Sequence, residues 1–480
     1  MPRTSLIATL LAPPSTDGTE LTALSDAVEW LEVRADVTGD IDPDWLRNHF
    51  KGRLLYSLRT PNESLTRSQR LKTAARFYDR VELQAETDFS EELLTAVPAE
   101  KRLVSWYGSA NSLLQLNDRF EQISAVPAGL YKIVTNATAI AEEFLPLSLL
   151  KSLNRNDTIA FSNGPLGFWN RIVALQVGAP AVYGLVAGGS AVTMEPTIAK
   201  LTADYGLPEV SLAKQLFAII GNPVFHSLSP RLHNASYRAM DYPALFVPLL
   251  VESFADFWRE FVISRRLDEF GLPINGMTVA SPHKEEAVLT AKHISAMARQ
   301  TEAANILVRN NGWWTADTTD PDVVYTASRE RSVSVKEKRA AVIGCGGAGR
   351  AIAAALVESG AGVTLINRGA ERGEHAAALL GLPYIPLREF DAEGYDIVVN
   401  ATPVGRDTDE APFELETMND DAVVIDLVYG SRPTPLVGTT RARQQVAIDG
   451  REVLVTQVRH QFRLMTGKEM SVTLARENLL

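Results

Sequence analysis

At 480 residues, the chain is long enough for two to four domains, each with its own core. A net charge of −11 and an ordinary composition, with 46% hydrophobic and 22% charged residues, argue against binding to nucleic acid or to an anionic membrane. The single cysteine, Cys345, excludes an intramolecular disulfide and a cysteine-based zinc site, and we expect no metal.

An apolar run near the amino terminus, Leu6 to Leu11, follows Arg3 as the core of a secretory signal would. The run is too short for a signal peptide and leads directly into Pro13-Pro14. No apolar stretch approaches the ~20 residues that span a bilayer. We therefore expect a first β-strand here, and a cytoplasmic protein with no membrane partner.

Eight short apolar, β-rich runs follow one another through the first 200 residues, and their starts are 22 to 28 residues apart. They are 6–12, 28–34, 53–59, 80–86, 102–107, 129–135, 157–162 and 180–186. Helical patterns such as Glu91 to Val97 fill the gaps. This alternation predicts an α/β fold that begins with a (β/α)8 TIM barrel over residues 1–210. An open doubly wound sheet shares the alternation, but the count of eight favours the barrel.

The alternation restarts after Pro208 with a strand from Leu216 to Ile220, and it continues to about residue 330. The polar run Arg329 to Arg339 lacks large apolar residues, which is typical of a linker or surface loop. The next strand, Ala340 to Ile343, begins a further unit.

A glycine-rich turn joins this strand to an alanine-rich helix, and it contains Gly344, Gly346, Gly347 and Ala348. Glycines let the backbone approach a pyrophosphate, while the helix N-terminus supplies N–H donors and the positive end of a dipole. A glycine loop alone is weak support. Because a strand precedes it and a helix follows it, the sequence predicts a dinucleotide site.

The second strand of this unit, Val363 to Ile366, ends at Asn367-Arg368. An acidic residue there would bind the ribose 2′-hydroxyl of NAD, whereas an arginine suits the 2′-phosphate of NADP. A surface arginine is the alternative. We expect NADP(H), bound by Asn367 and Arg368, with help from Arg372 if a helix begins there.

The wider set of motifs resembles the shikimate dehydrogenase family, in that family's order and over about 265 residues. The motifs are Gly221-Asn222-Pro223, His226 to Pro230, Ser281 to Lys284, Asn305, Thr319-Asp320, Asn400 to Gly405, Asp426 to Tyr429, and Gln457. The resemblance implies a shikimate-dehydrogenase-like α/β substrate-binding domain at 214–328 plus 430–480. It also implies a Rossmann NADP-binding domain at 336–429.

Hydride transfer to a ketone creates an alkoxide that must be neutralised as it forms, and a lysine with an aspartate can do this. By resemblance, these two residues are Lys284 and Asp320. The resemblance also assigns the substrate to Ser227, Ser229, Asn305 and Gln457, and the cofactor to the loop that contains Thr402.

The strand before Lys284 departs from the family, because Thr278 and Ala280 stand where the family has Asn and Thr. A further, milder departure is Thr318, which replaces an Asn. A lost hydroxyl near the substrate leaves the choice between shikimate and quinate open.

Polar residues within or after the barrel strands indicate a second site, because barrel chemistry occurs at the C-terminal ends of the strands. A lysine inside an apolar strand is desolvated, which lowers its pKa and makes it a candidate Schiff-base nucleophile. Lys132 is such a residue, although a snorkelling or ion-paired lysine is the alternative. The other polar residues of this kind are Glu32, Arg34, Arg59 and Tyr107.

The barrel resembles the type I 3-dehydroquinate dehydratase family over about 200 residues, through Leu31 to Asp36, Arg59, Tyr131-Lys132-Ile133, and Gly167 with Arg171. The resemblance implies that Lys132 forms an imine with the ketone. It assigns the hydroxyls and the carboxylate of the substrate to Glu32, Arg34, Arg59 and Arg171, and arginines can grip a carboxylate with two hydrogen bonds.

The family's general acid/base, the histidine of a Ser-x-His motif, is replaced by Tyr107 in Ser105-Trp106-Tyr107. His49, the only histidine before residue 226, precedes a strand and so lies at the wrong end of a barrel. Tyrosine is a poor base unless nearby cations lower its pKa of ~10. We expect slow imine chemistry, with Tyr107 or water as proton carrier. Two further departures are Gln84 for an acidic residue and Glu195-Pro196-Thr197 for Pro-Gly-Gln.

Together, the two resemblances predict a two-step enzyme of the shikimate pathway. Its first region would convert 3-dehydroquinate to 3-dehydroshikimate, and its second would reduce that product to shikimate. One alternative is a shikimate or quinate dehydrogenase joined to an impaired or inactive barrel. Another is a non-catalytic metabolite sensor. The oligomeric state stays open.

Overall fold

The computed structural model describes residues 3–59, 64–186 and 195–479. The chain divides into two compact units, the first comprising Met1–Leu216 with Phe225–Ile274 and the second Phe217–Val224 with Asn275–Leu480. The predicted boundaries near residues 210, 328 and 430 do not coincide with this division and stay predictions. Among the residues described, none of the helices combines the length and the apolar character that a membrane span requires.

Eight parallel strands in the first unit form a nearly closed barrel, in the order β7-β6-β5-β4-β3-β2-β1-β8. Because β1 pairs with both β2 and β8, the doubly wound alternative is excluded and the predicted TIM barrel is confirmed. Each strand overlaps the run predicted for it. The strands are β1 (Ser5–Leu10), β2 (Val28–Arg34), β3 (Arg53–Ser57), β4 (Arg80–Gln84), β5 (Arg102–Gly108), β6 (Leu130–Asn136), β7 (Thr158–Asn163) and β8 (Ala181–Leu185).

Helices connect these strands on the described part of the barrel. They are α1 (Thr19–Thr22), α2 (Ala35–Thr38), α3 (Pro43–His49), α4 (Ser64–Phe77), α5 (Glu91–Ala96), α6 (Leu113–Ser124), α7 (Leu145–Leu153), α8 (Phe168–Val173) and α9 (Ile198–Tyr205). The rest of this unit contains α10 (Ser229–Ala239), β10 (Leu245–Leu250) and α11 (Phe254–Phe257), which continues as a π-helical turn, Trp258–Ile263. Phe261 of that turn packs on Phe144 and Trp169.

The interior of the barrel is layered, because alternate residues of a strand point to the same side. Trp30, Leu103 and Leu130, near the strand starts, belong to one buried apolar cluster. Two residues further along β2 and β6, the same alternation brings Glu32 and Lys132 to the inside, where both are buried. The amino half of the interior is therefore apolar core, and the polar layer lies towards the carboxyl ends of the strands.

The second unit contains two sheets. The first has the order β9-β11-β13-β14-β12 within this unit, and the second is all parallel, with the order β17-β16-β15-β18-β19-β20. Their strands are β9 (Leu216–Gly221), β11 (Ile274–Val279), β12 (His293–Ile294), β13 (Ile306–Asn310), β14 (Trp313–Asp317), β15 (Arg339–Ile343), β16 (Gly362–Asn367), β17 (Tyr384–Pro386), β18 (Ile397–Asn400), β19 (Val423–Asp426) and β20 (Ala447–Ile448).

The helices of this unit are α12 (Lys284–Thr290), α13 (Ala296–Thr301), α14 (Asp322–Glu330), α15 (Gly347–Glu358), α16 (Ala370–Leu380), α17 (Pro435–Ala442), α18 (Gly450–Thr466) and α19 (Val472–Glu477). The parallel sheet is the predicted Rossmann-like unit, since strand β15 leads through the glycine turn into α15. The α/β fold class is confirmed for both units.

Candidate active sites

Asp320 is the centre of a buried hydrogen-bond cluster in the second unit. Lys284, the first residue of α12, places its Nζ 2.7 Å from Asp320 Oδ2. The side-chain amides of Asn305 and Gln457 donate to the other carboxylate oxygen, Oδ1, at 3.0 and 2.7 Å. The Asp320 side chain is 3% exposed and that of Lys284 is 19% exposed, so the pair is open to a ligand only on the lysine side.

The strand arrangement explains why Asn305 and Asp320 meet. Asn305 directly precedes β13 and Asp320 follows β14, and these two strands are antiparallel neighbours in which Ile306 pairs with Asp317. The Asn305 side chain also accepts a hydrogen bond from the Thr319 backbone N–H at 2.8 Å. Its orientation is therefore fixed at both ends.

Thr278, one of the positions that departs from the family, supports this cluster from β11. Its hydroxyl donates to Gln461 Oε1 at 2.9 Å, and Gln461 Nε2 donates to Thr319 Oγ1 at 3.1 Å. The hydroxyl of Thr278 thus has a partner within the protein.

The predicted glycine loop forms an open cradle at the start of α15. Gly344 has a φ of 103°, which favours glycine over other residues, and Gly349 passes so close that an added Cβ would lie 1.8 Å from the Gly344 carbonyl oxygen. Gly346 is the N-cap residue of α15, and no side chain caps the helix there. A Cβ added at Gly346 would have no atom within 4 Å. The first N–H groups of the helix, which include those of Gly347 and Ala348, therefore face space suited to an anion.

This cradle lies beside Lys284. A Cβ added at Gly347 would be 3.1 Å from the Cβ of Lys284. Arg350 of the same helix is buried, donates to the Thr301 carbonyl at 2.8 Å, and forms an ion pair of 2.9 Å with Glu285. The helix that starts at the cradle is thus fixed to the helix that starts at Lys284.

The carboxyl ends of the neighbouring strands carry the other predicted cofactor residues. Asn367 ends β16, and its Oδ1 accepts a hydrogen bond from the Cys345 N–H at 3.1 Å. Arg368 follows and is exposed, and Arg372 lies in the first turn of α16, which begins at Ala370. Thr402, after β18, donates to Asn400 Oδ1 at 2.6 Å, and its methyl group is 2.9 Å from the Cβ position of Gly344.

Ser227 and Ser229 lie in the first unit, where Ser229 begins α10. Both side chains are buried, and Ser227 Oγ accepts a hydrogen bond from the Ser229 N–H at 3.2 Å. Their assignment to a substrate carboxylate stays a prediction.

Four charged side chains meet in the polar layer of the barrel. Lys132 Nζ lies 2.7 Å from Glu82 Oε1 and 3.7 Å from Glu32 Oε1. Arg59 lies 2.7 Å from Glu32 Oε1 and 3.7 Å from Glu82 Oε2. Two cations and two carboxylates give this charged cluster a formal charge of zero. Neutrality matters here, because the side chains of Lys132, Glu82 and Glu32 are at most 1% exposed and an unpaired charge would be costly to bury.

The lysine of this cluster has the environment that the sequence predicted, and it is also ion-paired, as the alternative held. Burial lowers the pKa of Lys132. Burial opposes the ionisation of Glu82 too, but Lys132 and Arg59 outweigh it and hold the pKa of that carboxyl below its usual range.

Tyr107, at the position of the family's histidine, donates its hydroxyl hydrogen to Glu82 Oε1 at 2.6 Å. Burial raises the pKa of Tyr107 well above its ordinary value, and Glu82 and Glu32 raise it further although Arg59 opposes them. The environment therefore does not provide the lowered pKa that a tyrosine base would need.

The two other arginines predicted for the barrel have partners elsewhere. Arg34 grips Asp36 with two hydrogen bonds of 3.0 and 2.9 Å. Arg171 lies 3.3 Å from Glu195 Oε1. Glu195 and Lys132 both line a cavity of about 10 Å³, which has room for about one water molecule between the described walls. Arg171 is thus connected to this cavity by its ion pair with the lining residue Glu195.

Glu82 is the site residue that the sequence reasoning missed. Glu82 lies between the apolar Val81 and Leu83 of β4, and the departures from the family described above include Gln84, two residues later, but not Glu82. A carboxylate isolated in the middle of a barrel strand is the same signal that identified Lys132, and it could have been read in the same way.

Comparisons with known families match both regions of the chain. Residues 219–307 match the shikimate dehydrogenase substrate binding domain, and residues 19–209 match type I 3-dehydroquinase. Residues 291–431 match the NAD binding domain of D-isomer specific 2-hydroxyacid dehydrogenase.

Individual relatives cover one or both regions. A shikimate dehydrogenase (NADP(+)) of Xanthomonas euvesicatoria pv. vesicatoria is 36% identical over 267 residues, which are 52% of this chain and 90% of the relative. A chloroplastic bifunctional 3-dehydroquinate dehydratase/shikimate dehydrogenase of Arabidopsis thaliana is 28% identical over 414 residues, 81% of this chain and 67% of the relative. The crystal structure of shikimate dehydrogenase from Aquifex aeolicus has a TM-score of 0.50 at 29% identity, and covers 55% of this chain and 97% of its own.

Proposed function

The chain belongs to the shikimate dehydrogenase family, and we propose that its second region reduces 3-dehydroshikimate to shikimate with NADPH. The observation that carries this proposal is the Lys284–Asp320 ion pair of 2.7 Å directly beside the glycine cradle. A proton donor for the reduced ketone and a dinucleotide phosphate site are thereby brought together in one unit.

The residues of the cradle fit NADP(H), because the uncapped N–H groups at the start of α15 and the open space at Gly346 suit a pyrophosphate. When bound, the cofactor supplies the hydride. Gly344, Gly346, Gly347 and Ala348 would hold the pyrophosphate, and Thr402 would line the pocket next to it. Asn367 and Arg368 would hold the adenosine ribose, with Arg368 on its 2′-phosphate.

Lys284 and Asp320 act on the oxygen of the ketone. As that oxygen gains negative charge, the ammonium of Lys284 stabilises it and gives up a proton, while Asp320 keeps the lysine charged and oriented. Asn305 and Gln457 fix the carboxylate, and their position beside Oδ1 also suits contact with ring hydroxyls. Ser227 and Ser229 bind the substrate carboxylate by the family resemblance.

A direct test is NADPH oxidation with 3-dehydroshikimate, run beside shikimate and quinate with NADP in the reverse direction. We expect 3-dehydroshikimate to be reduced and shikimate to be oxidised faster than quinate. The absence of any NADPH oxidation would contradict the proposal and favour a metabolite sensor.

The barrel is proposed to dehydrate 3-dehydroquinate to 3-dehydroshikimate through an imine on Lys132. The protonated imine makes the adjacent C–H acidic, and loss of that proton with the neighbouring hydroxyl releases water. Hydrolysis of the imine then frees Lys132. Glu32, Arg34, Arg59 and Arg171 would bind the substrate, which requires side chains to move, since the cavity between the described walls is about 10 Å³.

A catalytically inactive barrel is the second candidate, and two observations favour it: Tyr107 stands at the histidine position, and the cavity between the described lining residues is only about 10 Å³. Borohydride trapping distinguishes the two. A covalent adduct that carries one substrate-derived group and disappears in Lys132→Ala supports the dehydratase, and an untrapped wild-type chain supports the inactive barrel.

We propose domains at 1–210, 214–328 plus 430–480, and 336–429, as the family resemblances imply. The protein is proposed to be cytoplasmic, although the Arabidopsis relative is described as chloroplastic.

A further inference from the structure

Glu82 stands between the amine of Lys132 and the hydroxyl of Tyr107. A single carboxylate oxygen, Oε1, lies 2.7 Å from Lys132 Nζ and 2.6 Å from the Tyr107 hydroxyl oxygen. Residues of three adjacent strands supply these groups: Glu82 from β4, Tyr107 from β5 and Lys132 from β6. The contact is therefore built into the barrel framework and does not depend on a loop.

We propose that Glu82 is the general acid/base of imine formation on Lys132, in the place that the family gives to a histidine. This inference rests on the proposed dehydratase function, and it deepens that function by naming the group that moves the amine proton. Glu82 touches a reacting atom, because the attacking group is Lys132 Nζ itself.

The charge balance of the buried cluster favours this path for the proton. Lys132 must lose a proton before it can attack a ketone. If that proton left for solvent, the cluster of Lys132, Arg59, Glu82 and Glu32 would keep a net negative charge in a buried site. Transfer to Glu82 converts an ammonium and a carboxylate into an amine and a carboxylic acid, and the total charge stays at zero. The second path avoids burying an uncompensated charge.

The geometry also argues against Tyr107 in this role. Its hydroxyl donates to Glu82, so its hydrogen is directed at the carboxylate and its pKa is raised well above the ordinary value. Tyr107 is instead a positioning residue, since its hydrogen bond holds Oε1 within reach of Lys132.

Glu82 takes one proton from the Lys132 ammonium, and Nζ then attacks the carbonyl carbon, so that a C–N bond forms. A second nitrogen proton moves to the former carbonyl oxygen, which gives a hydroxyl. Glu82 returns its proton to that hydroxyl, which leaves as water, and the protonated imine remains. Glu82 begins and ends the step as a carboxylate.

Imine formation can be measured apart from dehydration by mixing the full chain with 3-dehydroshikimate, without NADPH, and quenching with borohydride at set times. In Glu82→Gln we expect the rate of adduct formation to fall on the order of 10²–10⁴-fold. The residual rate should rise by about tenfold per pH unit, because solvent must then remove the amine proton. Tyr107→Phe should slow the reaction by less than about tenfold and keep the wild-type pH profile.

Glu32→Gln is the charge-matched comparison, because it removes one carboxylate from the same cluster but one that lies 3.7 Å from Nζ. We expect it to raise the concentration of 3-dehydroshikimate needed for half-maximal trapping without the steep pH dependence. If Glu82→Gln does not fold, as judged by circular dichroism, Glu82→Asp replaces it and should be slower than both wild type and Glu32→Gln.

Adduct formation at the wild-type rate in Glu82→Gln, or in Glu82→Asp where that variant replaces it, would overturn the inference and leave the dehydratase proposal intact. An equal loss in Tyr107→Phe would also overturn it. A wild-type chain that forms no adduct would overturn both.

Discussion

Replacement of Asp320 by asparagine tests the dehydrogenase site at its centre. Both carboxylate oxygens are acceptors in the structure: Oδ2 faces Lys284 and Oδ1 faces the amide donors of Asn305 and Gln457. An asparagine has one acceptor oxygen, so in either orientation its NH₂ group faces a donor. We expect Asp320→Asn to cost about 1–3 kcal/mol in the free energy of unfolding, as a buried group left without a partner does.

The effect on rate should be larger than the effect on stability. Without the carboxylate, Lys284 is no longer held charged at the substrate oxygen, and loss of an acid/base function lowers kcat on the order of 10²–10⁴-fold. That factor corresponds to about 2.7–5.5 kcal/mol in activation free energy. Steady-state NADPH oxidation with 3-dehydroshikimate measures it, and urea unfolding measures the stability.

Asp317→Asn is the matched control. Asp317 lies three residues earlier, and its Oδ1 accepts a hydrogen bond from the Thr318 N–H at 2.8 Å, which an asparagine can also accept. We expect its kcat to stay within about twofold of wild type and its stability within about 0.5 kcal/mol. An Asp320→Asn variant with the wild-type kcat would show that this carboxylate has no role in the reduction.

Two further predictions concern the cofactor and the stability of the barrel. Arg368→Ser should raise KM for NADPH about 10- to 100-fold, because a charged hydrogen bond to the 2′-phosphate contributes about 1.5–3 kcal/mol, while KM for NADH stays nearly unchanged; an equal change for both cofactors would contradict this role. Burial raises the pKa of Glu143 from 4.5 to about 8, so between these values the folded state holds a proton that the unfolded chain lacks. Stability should therefore fall by about 1.4 kcal/mol per pH unit as pH rises through this window. Glu143→Gln keeps an acceptor for the Trp169 indole N–H. In urea unfolding, the stability of this variant relative to wild type should therefore be higher at pH 8 than at pH 5. A difference that does not change with pH would contradict the raised pKa of Glu143.

The barrel could be predicted from the sequence because its pattern is local. Each strand is a short apolar run, and a polar residue at mid-strand, such as Lys132, stands out against it. The same rule applied to Glu82 would have completed the cluster. The sequence pattern does not predict which polar residues touch. Glu82 and Lys132 are in contact although their strands, β4 and β6, are separated in the sheet by β5.

The dehydrogenase cluster shows the limit of spacing arguments more plainly. Gln457 and Asp320 are in contact although 137 residues separate them, and no local pattern links α18 to the end of β14. Here the family resemblance supplied what periodicity could not. The predicted linker from Arg329 to Arg339 contains two residues, Val333 and Val335, that are buried against the Rossmann core. The sequence does not predict their burial, because two isolated valines in a polar run give no periodic signal.

A single coupled assay tests whether one chain carries out the two successive steps. The full chain is given 3-dehydroquinate as the only substrate, together with NADPH, and cofactor oxidation is followed. We expect wild type to oxidise NADPH and form shikimate, and Lys132→Ala to do so only when 3-dehydroshikimate is supplied. A wild-type chain that oxidises NADPH with 3-dehydroshikimate but never with 3-dehydroquinate would contradict the two-step account.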